Sequence, residues 1–356
     1  MNNVSSRPVY PRVASMNSVA VGFGRAVRRF GPFLLRLAAG VTVLGFLVRI
    51  VGAAPFENGL RAVTWPAIVA AAALTALTTV CSAWRWRVVA RALGIRLGLT
   101  DAICAYYRSL FLNSVLIGGV LGDVHRAVNH GRRAGDVARG MRAVAWERLW
   151  GQVIQAVVTV VVLLTVPSPV RSALPYVLAG LAAVGCLAGC AALVTRGAAR
   201  RGRSWLARTA RAVSRDLRCG LRAPNVWPQL TLASVLVVAG HTATFVIAAR
   251  VAGSTAPLGE LVALLMVVQV AVVIPLGIGG WGPREGVAAW AFAAAGLGAA
   301  TGVTVAMLYA VLMLAAVAPG AGLLLWDVVR RDRGAGHPDE SKRPDLAPHT
   351  LESVRG

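Results

Sequence analysis

The stretch Ile274-Pro275-Leu276-Gly277-Ile278-Gly279-Gly280-Trp281-Gly282-Pro283-Arg284-Glu285-Gly286 decides how this chain is read. It follows a strongly apolar run, 258–274, and another apolar run, 287–297, comes after it. Glycines, two prolines and an adjacent Arg-Glu pair thus interrupt a segment that would otherwise read as one long apolar helix. Broken backbone at membrane depth is tolerated only where protein or water satisfies its polar groups. Charges there are rare and usually functional. The stretch therefore marks a membrane protein and nominates a site within it.

Composition agrees with the membrane reading. Over 356 residues, 57% are hydrophobic and only 14% charged, with a mean hydropathy of +0.66. That balance points to an all-α, polytopic helix bundle rather than soluble domains. The formal net charge is +23, almost all arginine, since Lys342 is the only lysine. The arginines cluster between apolar runs, where positive-inside topology and anionic headgroups account for them. No nucleic-acid-binding motif accompanies the charge, so nucleic acid is not an expected partner.

A bilayer core of about 30 Å needs about 20 apolar residues per helix. Candidate spans are 33–53, 65–83, 149–166, 174–195, 228–251, 258–276 and 301–326, with shorter segments at 102–118 and 286–299. This gives about seven to eight spans. Residues 1–32 form a basic tail leading into a retained first span, 33–326 the membrane domain and 327–356 a disordered tail. The segments 1–32, 84–100, 123–145 and 196–227 are rich in arginine, which places them and both termini in the cytoplasm of a plasma-membrane protein. Segment 102–118 would then start and end on the same side, so it is expected to be re-entrant. The linker 196–227 holds nine arginines and one acid, Asp216. Arg208, Arg211, Arg215, Arg218 and Arg222 recur at helical spacing, which fits an amphipathic helix on the inner leaflet or a solvated basic loop.

Cys81, Cys104, Cys186, Cys190 and Cys219 show no metal-ligand spacing, and neither a metal nor another cofactor is expected. His241, in the span 228–251, has no acidic companion nearby in sequence and reads as a neutral packed or pore-facing side chain.

A second interrupted segment precedes the first: Ile117-Gly118-Gly119-Val120-Leu121-Gly122-Asp123-Val124-His125-Arg126. Both have an apolar lead-in, a glycine cluster, then an acid and an arginine. Interrupted segments in corresponding places point to an inverted repeat with a binding site at its interface. Gly118, Gly119 and Gly122 in one, and Gly279, Gly280 and Gly282 in the other, would let backbone amides approach a ligand. Arg126 and Arg284 could hold a phosphate, while Asp123 and Glu285 orient them or carry a proton. The other reading is that these groups pair with one another and fix helix packing. Glu147-Arg148-Leu149-Trp150-Gly151 opens the next span and places Glu147 and Gly151 on one helix face. It reads either as part of the site or as an interfacial anchor.

Together these elements resemble the flippase-like membrane domain of lysylphosphatidylglycerol synthases, a family with stand-alone members. The resemblance rests on Gly-Gly-x-x-Gly-Asp-x-x-Arg (118–126), Glu147-Arg148-x-x-Gly151 and Pro-x-Gly-Ile-Gly-Gly-Trp-Gly-x-Arg-Glu-Gly (275–286). It covers roughly 35–326. Ile117 departs from the pattern, standing where a proline commonly precedes the first glycine cluster. In fused synthases an aminoacyltransferase domain follows the membrane part; here about 30 residues follow the last span, so lysyl transfer is not expected. The resemblance implies translocation of an anionic phospholipid or polyprenyl-linked precursor between leaflets. Two alternatives stay open: an intramembrane transferase using a lipid-phosphate donor, and a non-transporting partner of a lipid or cell-envelope synthase. No GxxxxGK[ST] motif occurs, so ATP hydrolysis by this chain is not expected.

Overall fold

The computed structural model describes residues 52–116, 119–168, 205–216, 223–272 and 282–335, with isolated positions at 45–50 and 172–182. All regular structure among them is helical. In chain order the helices are α1 (Ala54–Arg61), α2 (Trp65–Ala92), α3 (Leu99–Val115), α4 (Leu121–Arg133), α5 (Val137–Thr165), α6 (Trp205–Asp216), α7 (Trp227–Val251), α8 (Leu258–Val272), α9 (Pro283–Ala294), α10 (Ala299–Ala316) and α11 (Pro319–Ala335). Four are long and apolar enough to cross a bilayer: α2, α5, α7 and the continuous run of α10 into α11 up to Asp327. The chain is a multi-pass membrane protein. Most of each candidate span 174–195 and 33–53 lies outside the described residues.

Local sequence explains several helix ends. α2 and α7 both open on Trp-Pro, at Trp65-Pro66 and Trp227-Pro228. Proline fits the first helical turn because its missing N–H has no partner there anyway. Both tryptophans are exposed, which suits rings that favour a membrane–water boundary. α5 begins where the Asp136 side chain accepts a hydrogen bond from Arg139 N at 2.8 Å, the usual N-cap arrangement.

The long helices run past the spans expected from hydropathy. Residues 84–92 continue α2 rather than forming a loop, and 123–145 divides into α4 and the first turns of α5. Segment 286–299 contributes the twelve-residue α9, about 18 Å at 1.5 Å per residue and too short to cross alone. Segment 301–326 carries a two-residue turn at 317–318, just before Pro319. Each interrupted stretch separates two short helices, α3 from α4 and α8 from α9, and each pair packs together.

α2 is the hub, packing on α3, α5, α7 and α10. Its burial pattern reveals a layered core. Ala67 and Ala71 join one apolar cluster with Phe245, Leu264, Phe292 and Leu308. Ala83, Trp86, Val89 and Ala90 join another with Tyr106, Ala127, Val144 and Leu230. Between Ala71 and Trp86 on α2 lie buried Thr75, Thr78, Thr79, Ser82 and Arg85. The same layering recurs on α5, where Glu147 and Thr159 fall between Val144 and Leu163, and on α7, where Ser234 falls between Leu230 and Val238. Three helices thus contribute one polar layer between two apolar ones. Because α7 and α2 meet these clusters in opposite chain order, the two helices run antiparallel.

Candidate functional site

The polar layer is organised by Glu147, which is fully buried on α5. Its Oε1 accepts from Arg85 Nε at 3.0 Å, from Arg85 Nη2 and from the Tyr106 hydroxyl at 3.2 Å. Its Oε2 accepts from Arg126 Nη2 at 2.6 Å. Asp123 is the second carboxylate. It accepts from Arg126 Nε at 3.0 Å, Arg148 Nη2 at 2.8 Å, Ser109 Oγ at 3.0 Å and Asn113 Nδ2 at 3.3 Å. Three arginines and two carboxylates therefore form one network, which retains a net positive charge.

Burying ions without partners costs several kcal/mol each, so such a network survives only when nearly every lone pair and proton is used. Aromatic rings complete it. The Arg126 guanidinium lies 4.7 Å from the Trp86 ring centroid and 4.3 Å from that of Tyr106, within cation–π range. Among the described residues its Nη1 has no hydrogen-bond partner, and the two rings are its close neighbours. Asp123 sits on the amphipathic α4. Burial alone would raise its carboxyl pKa, but Arg148 and Arg126 outweigh that and hold it below the usual carboxylate range.

Close backbone approach lets these helices converge. A Cβ on Gly122 would fall 2.2 Å from the Ser109 carbonyl oxygen, and the Gly122 N–H donates to Asn113 Oδ1 at 2.8 Å. This glycine seats α4 on α3 and brings Asp123 to Ser109 and Asn113. Gly151 stands one turn after Glu147, and a Cβ there would collide with the Arg85 guanidinium. The Glu147/Gly151 face expected from the sequence is therefore a seat for Arg85: the glutamate binds the cation and the glycine leaves room for it.

The second interrupted stretch ends in a local pair. Arg284 donates to Glu285 Oε1 from Nε at 3.1 Å and from Nη2 at 2.7 Å. Glu285 Oε2 accepts from the Gly282 N–H at 2.6 Å, capping the start of α9, where negative charge suits the helix dipole. Gly282 has φ +101°, a conformation glycine adopts without steric penalty. Arg284 also lies 5.8 Å from the Tyr309 ring centroid, and the Tyr309 hydroxyl pairs with His241 Nδ1 at 3.2 Å. His241 thus has a phenolic partner supplied by α10.

The two charge groups meet at one cavity of about 300 Å³, within the lower range for ligand pockets. Arg85, Arg148 and Arg284 line it together with Gln152, Gln155, Gln269 and His241. Arg148, whose side chain is 38% exposed, is the most open of the three network arginines. Asp123, Glu147 and Glu285 stand behind the arginines and hold them. Arg126 faces a different cavity of about 200 Å³, shared with Arg108, His130 and Arg133. Of the sequence candidates, Arg148 and Arg284 are thus brought to a common surface, while Gly119 and Gly122 contribute backbone geometry. Gly118, Gly279 and Gly280 lie outside the described residues. Among the described residues, no three histidine, cysteine or carboxylate side chains converge as metal ligands.

Arg85, Tyr106, Ser109, Asn113, Ser234 and the three glutamines escaped the sequence reading. Arg85 was expected in a basic connection, yet it is buried and also donates to Ser234 Oγ at 2.9 Å. A signal existed: Thr75, Thr78, Ser82 and Arg85 recur at three- or four-residue spacing, a polar stripe on an apolar helix.

The lysylphosphatidylglycerol synthase TM region model matches residues 33–320. That match takes in both interrupted stretches, the Glu147–Gly151 element, α2, α5 and α7 entire, and the fourth long apolar run as far as Gly320. The chain belongs to this family. No curated protein and no solved structure shows a match. Family membership together with the helix pattern makes this a membrane protein of lipid metabolism or transport.

Proposed function

We propose that the chain translocates an anionic phospholipid, or a polyprenyl-linked phosphate, between leaflets, with the phosphate entering the cavity lined by Arg85, Arg148 and Arg284. One observation carries this reading: three guanidinium groups from separate helices border one cavity otherwise lined largely by uncharged polar side chains. Guanidinium suits phosphate because its planar set of donors matches the oxyanion and keeps its charge at every physiological pH. Glu147, Asp123 and Glu285 set the direction of these donors, so the ligand meets a preorganised surface.

The depth of the network favours a headgroup path rather than a surface docking site. Glu147 lies ten residues into α5, about 15 Å from its start, and Arg85 seven residues before the end of α2, about 10 Å, at 1.5 Å per residue. In this arrangement the arginine-rich linker containing α6, and both termini, face the cytoplasm. Reconstituted protein should move fluorescent phosphatidylglycerol across vesicle membranes faster than phosphatidylcholine. Arg148→Gln and Arg284→Gln should remove that preference. Equal rates for both lipids with the unaltered protein would overturn the proposal.

A further inference from the structure

Beside the arginine cavity lies a second space of opposite character. A groove of about 590 Å³ runs between α5, α7 and α8, walled by Val158, Val235, Ala239, Ala243, Val262 and Met266. Its one hydroxyl, that of Thr242, is satisfied by the Val238 carbonyl of its own helix at 2.8 Å. Val235 and Ala239 are exposed, so the groove opens away from the packed core, towards hydrocarbon in a bilayer.

The two spaces adjoin. Val238 lines both of them. Gln155, on the cavity side, donates from Nε2 to the Met266 sulfur, on the groove side, at 3.5 Å. One layer of side chains therefore separates a cationic cavity from an apolar groove. Along α7, cavity-lining Ser234 and groove-lining Ile247 are thirteen residues apart, on the order of 20 Å of helix. A ligand filling both spaces needs an anionic end joined directly to a hydrocarbon chain.

We propose that the groove between α5, α7 and α8 binds a hydrocarbon chain of the same lipid whose phosphate occupies the arginine cavity. The inference rests on the phosphate reading above and adds a chain subsite and a lateral route into the bundle. Any bilayer lipid can brush an apolar surface. The claim is that the neighbouring cations select which lipid's chain stays in this groove.

The test uses full-length protein in vesicles containing phosphatidylglycerol with a photoactivatable diazirine in one acyl chain. A parallel set carries the same chain on phosphatidylcholine. Labelled residues are read by peptide mass spectrometry. Labelling at Val235, Ala239 and Ala243 should favour the anionic lipid on the order of tenfold. Val153, Val157 and Val161, an exposed stripe on α5, should show no preference. Arg148→Gln should bring the groove down to the level of that stripe. Equal labelling of groove and stripe by the anionic lipid would overturn the chain subsite.

Ala239→Trp gives a second readout, since it fills the groove from an exposed position. It should slow translocation of long-chain phosphatidylglycerol while a dihexanoyl analogue still moves. Unchanged long-chain transport by folded Ala239→Trp would also overturn the subsite. If Arg148→Gln abolishes anion preference in transport but labelling stays uniform, the groove inference alone fails. If Arg148→Gln leaves transport and its lipid preference untouched, the phosphate reading fails and this inference with it.

Discussion

Gly151 and Arg85 are fitted to each other across two helices: a Cβ at position 151 would stand 2.9 Å from Arg85 Nη1 and 3.0 Å from Nη2. Arg85 is at the same time held by Glu147 and Ser234, so it has little freedom to withdraw. Gly151→Ala should therefore displace the guanidinium and reduce both thermal stability in detergent and lipid transport. Gly322→Ala is the matched control, because that glycine, in α11, has open space around its Cβ position. Its expected effect is nil or a stabilisation of up to about 1 kcal/mol from better helix propensity. Equal melting temperatures for the two variants would refute the fit.

Glu147→Gln should be the most damaging single substitution in the network. It takes from buried Arg85 the carboxylate that holds it and leaves Arg126 with Asp123. Breaking a buried ion pair from one side costs about 3–5 kcal/mol. Denaturant unfolding in detergent reports this directly, and a loss below about 0.5 kcal/mol would contradict the assigned role.

Arg126 and Arg148 should separate folding from function. Arg126 is enclosed by Trp86, Tyr106 and both carboxylates, so Arg126→Gln should lower yield and stability. Arg148 reaches the cavity, and Arg148→Gln should leave a folded protein with weakened selection for anionic lipid. Comparing monodispersity with transport for each variant checks the division. The reverse pattern would mean that Arg126 is the residue closer to the ligand.

Asp123 makes stability depend on acid. Its carboxyl has a folded pKa below its ordinary value of 3.8, so its contribution is fully present above that value and is lost as pH falls through the folded one. Asp123→Asn should therefore destabilise the protein at neutral pH, and the gap to the unaltered chain should narrow at the acidic end. Melting curves collected from pH 7 down to about pH 2 test this, and a gap that stays constant over that whole range would show that Asp123 is not the titrating group.

The linker helix α6 is tied to α5 through Asp216, which accepts from Arg142 Nε at 2.8 Å and from Trp146 Nε1 at 3.3 Å. Asp216→Asn weakens both contacts. Trypsin should then cut after Arg208 or Arg215 sooner than in the unaltered protein, with no change in melting temperature. Identical digestion rates would show that other contacts hold the helix.

The physical character of the chain was legible without coordinates. Apolar runs of helical length, arginines between them and glycine-broken stretches at 118–126 and 275–286 follow from what lipid does to exposed backbone and charge. Glu147, Arg148, Arg284 and Glu285 could be nominated because ionisable groups near apolar segments are costly and seldom idle. What the sequence could not determine was partnership. Whether Glu147 binds Arg148 beside it, Arg126 at 21 positions' distance or Arg85 at 62 depends on which helix faces meet. Those faces are set by the packing of α2, α4, α5 and α7. Arg85 read as a loop residue because hydropathy falls at Trp84-Arg85-Trp86-Arg87, yet the helix continues, since a charge satisfied inside the bundle need not end it. Sequence fixes which residues are too costly to bury alone; only the tertiary structure decides that three arginines share two carboxylates and that Arg148 and Arg284 face one cavity.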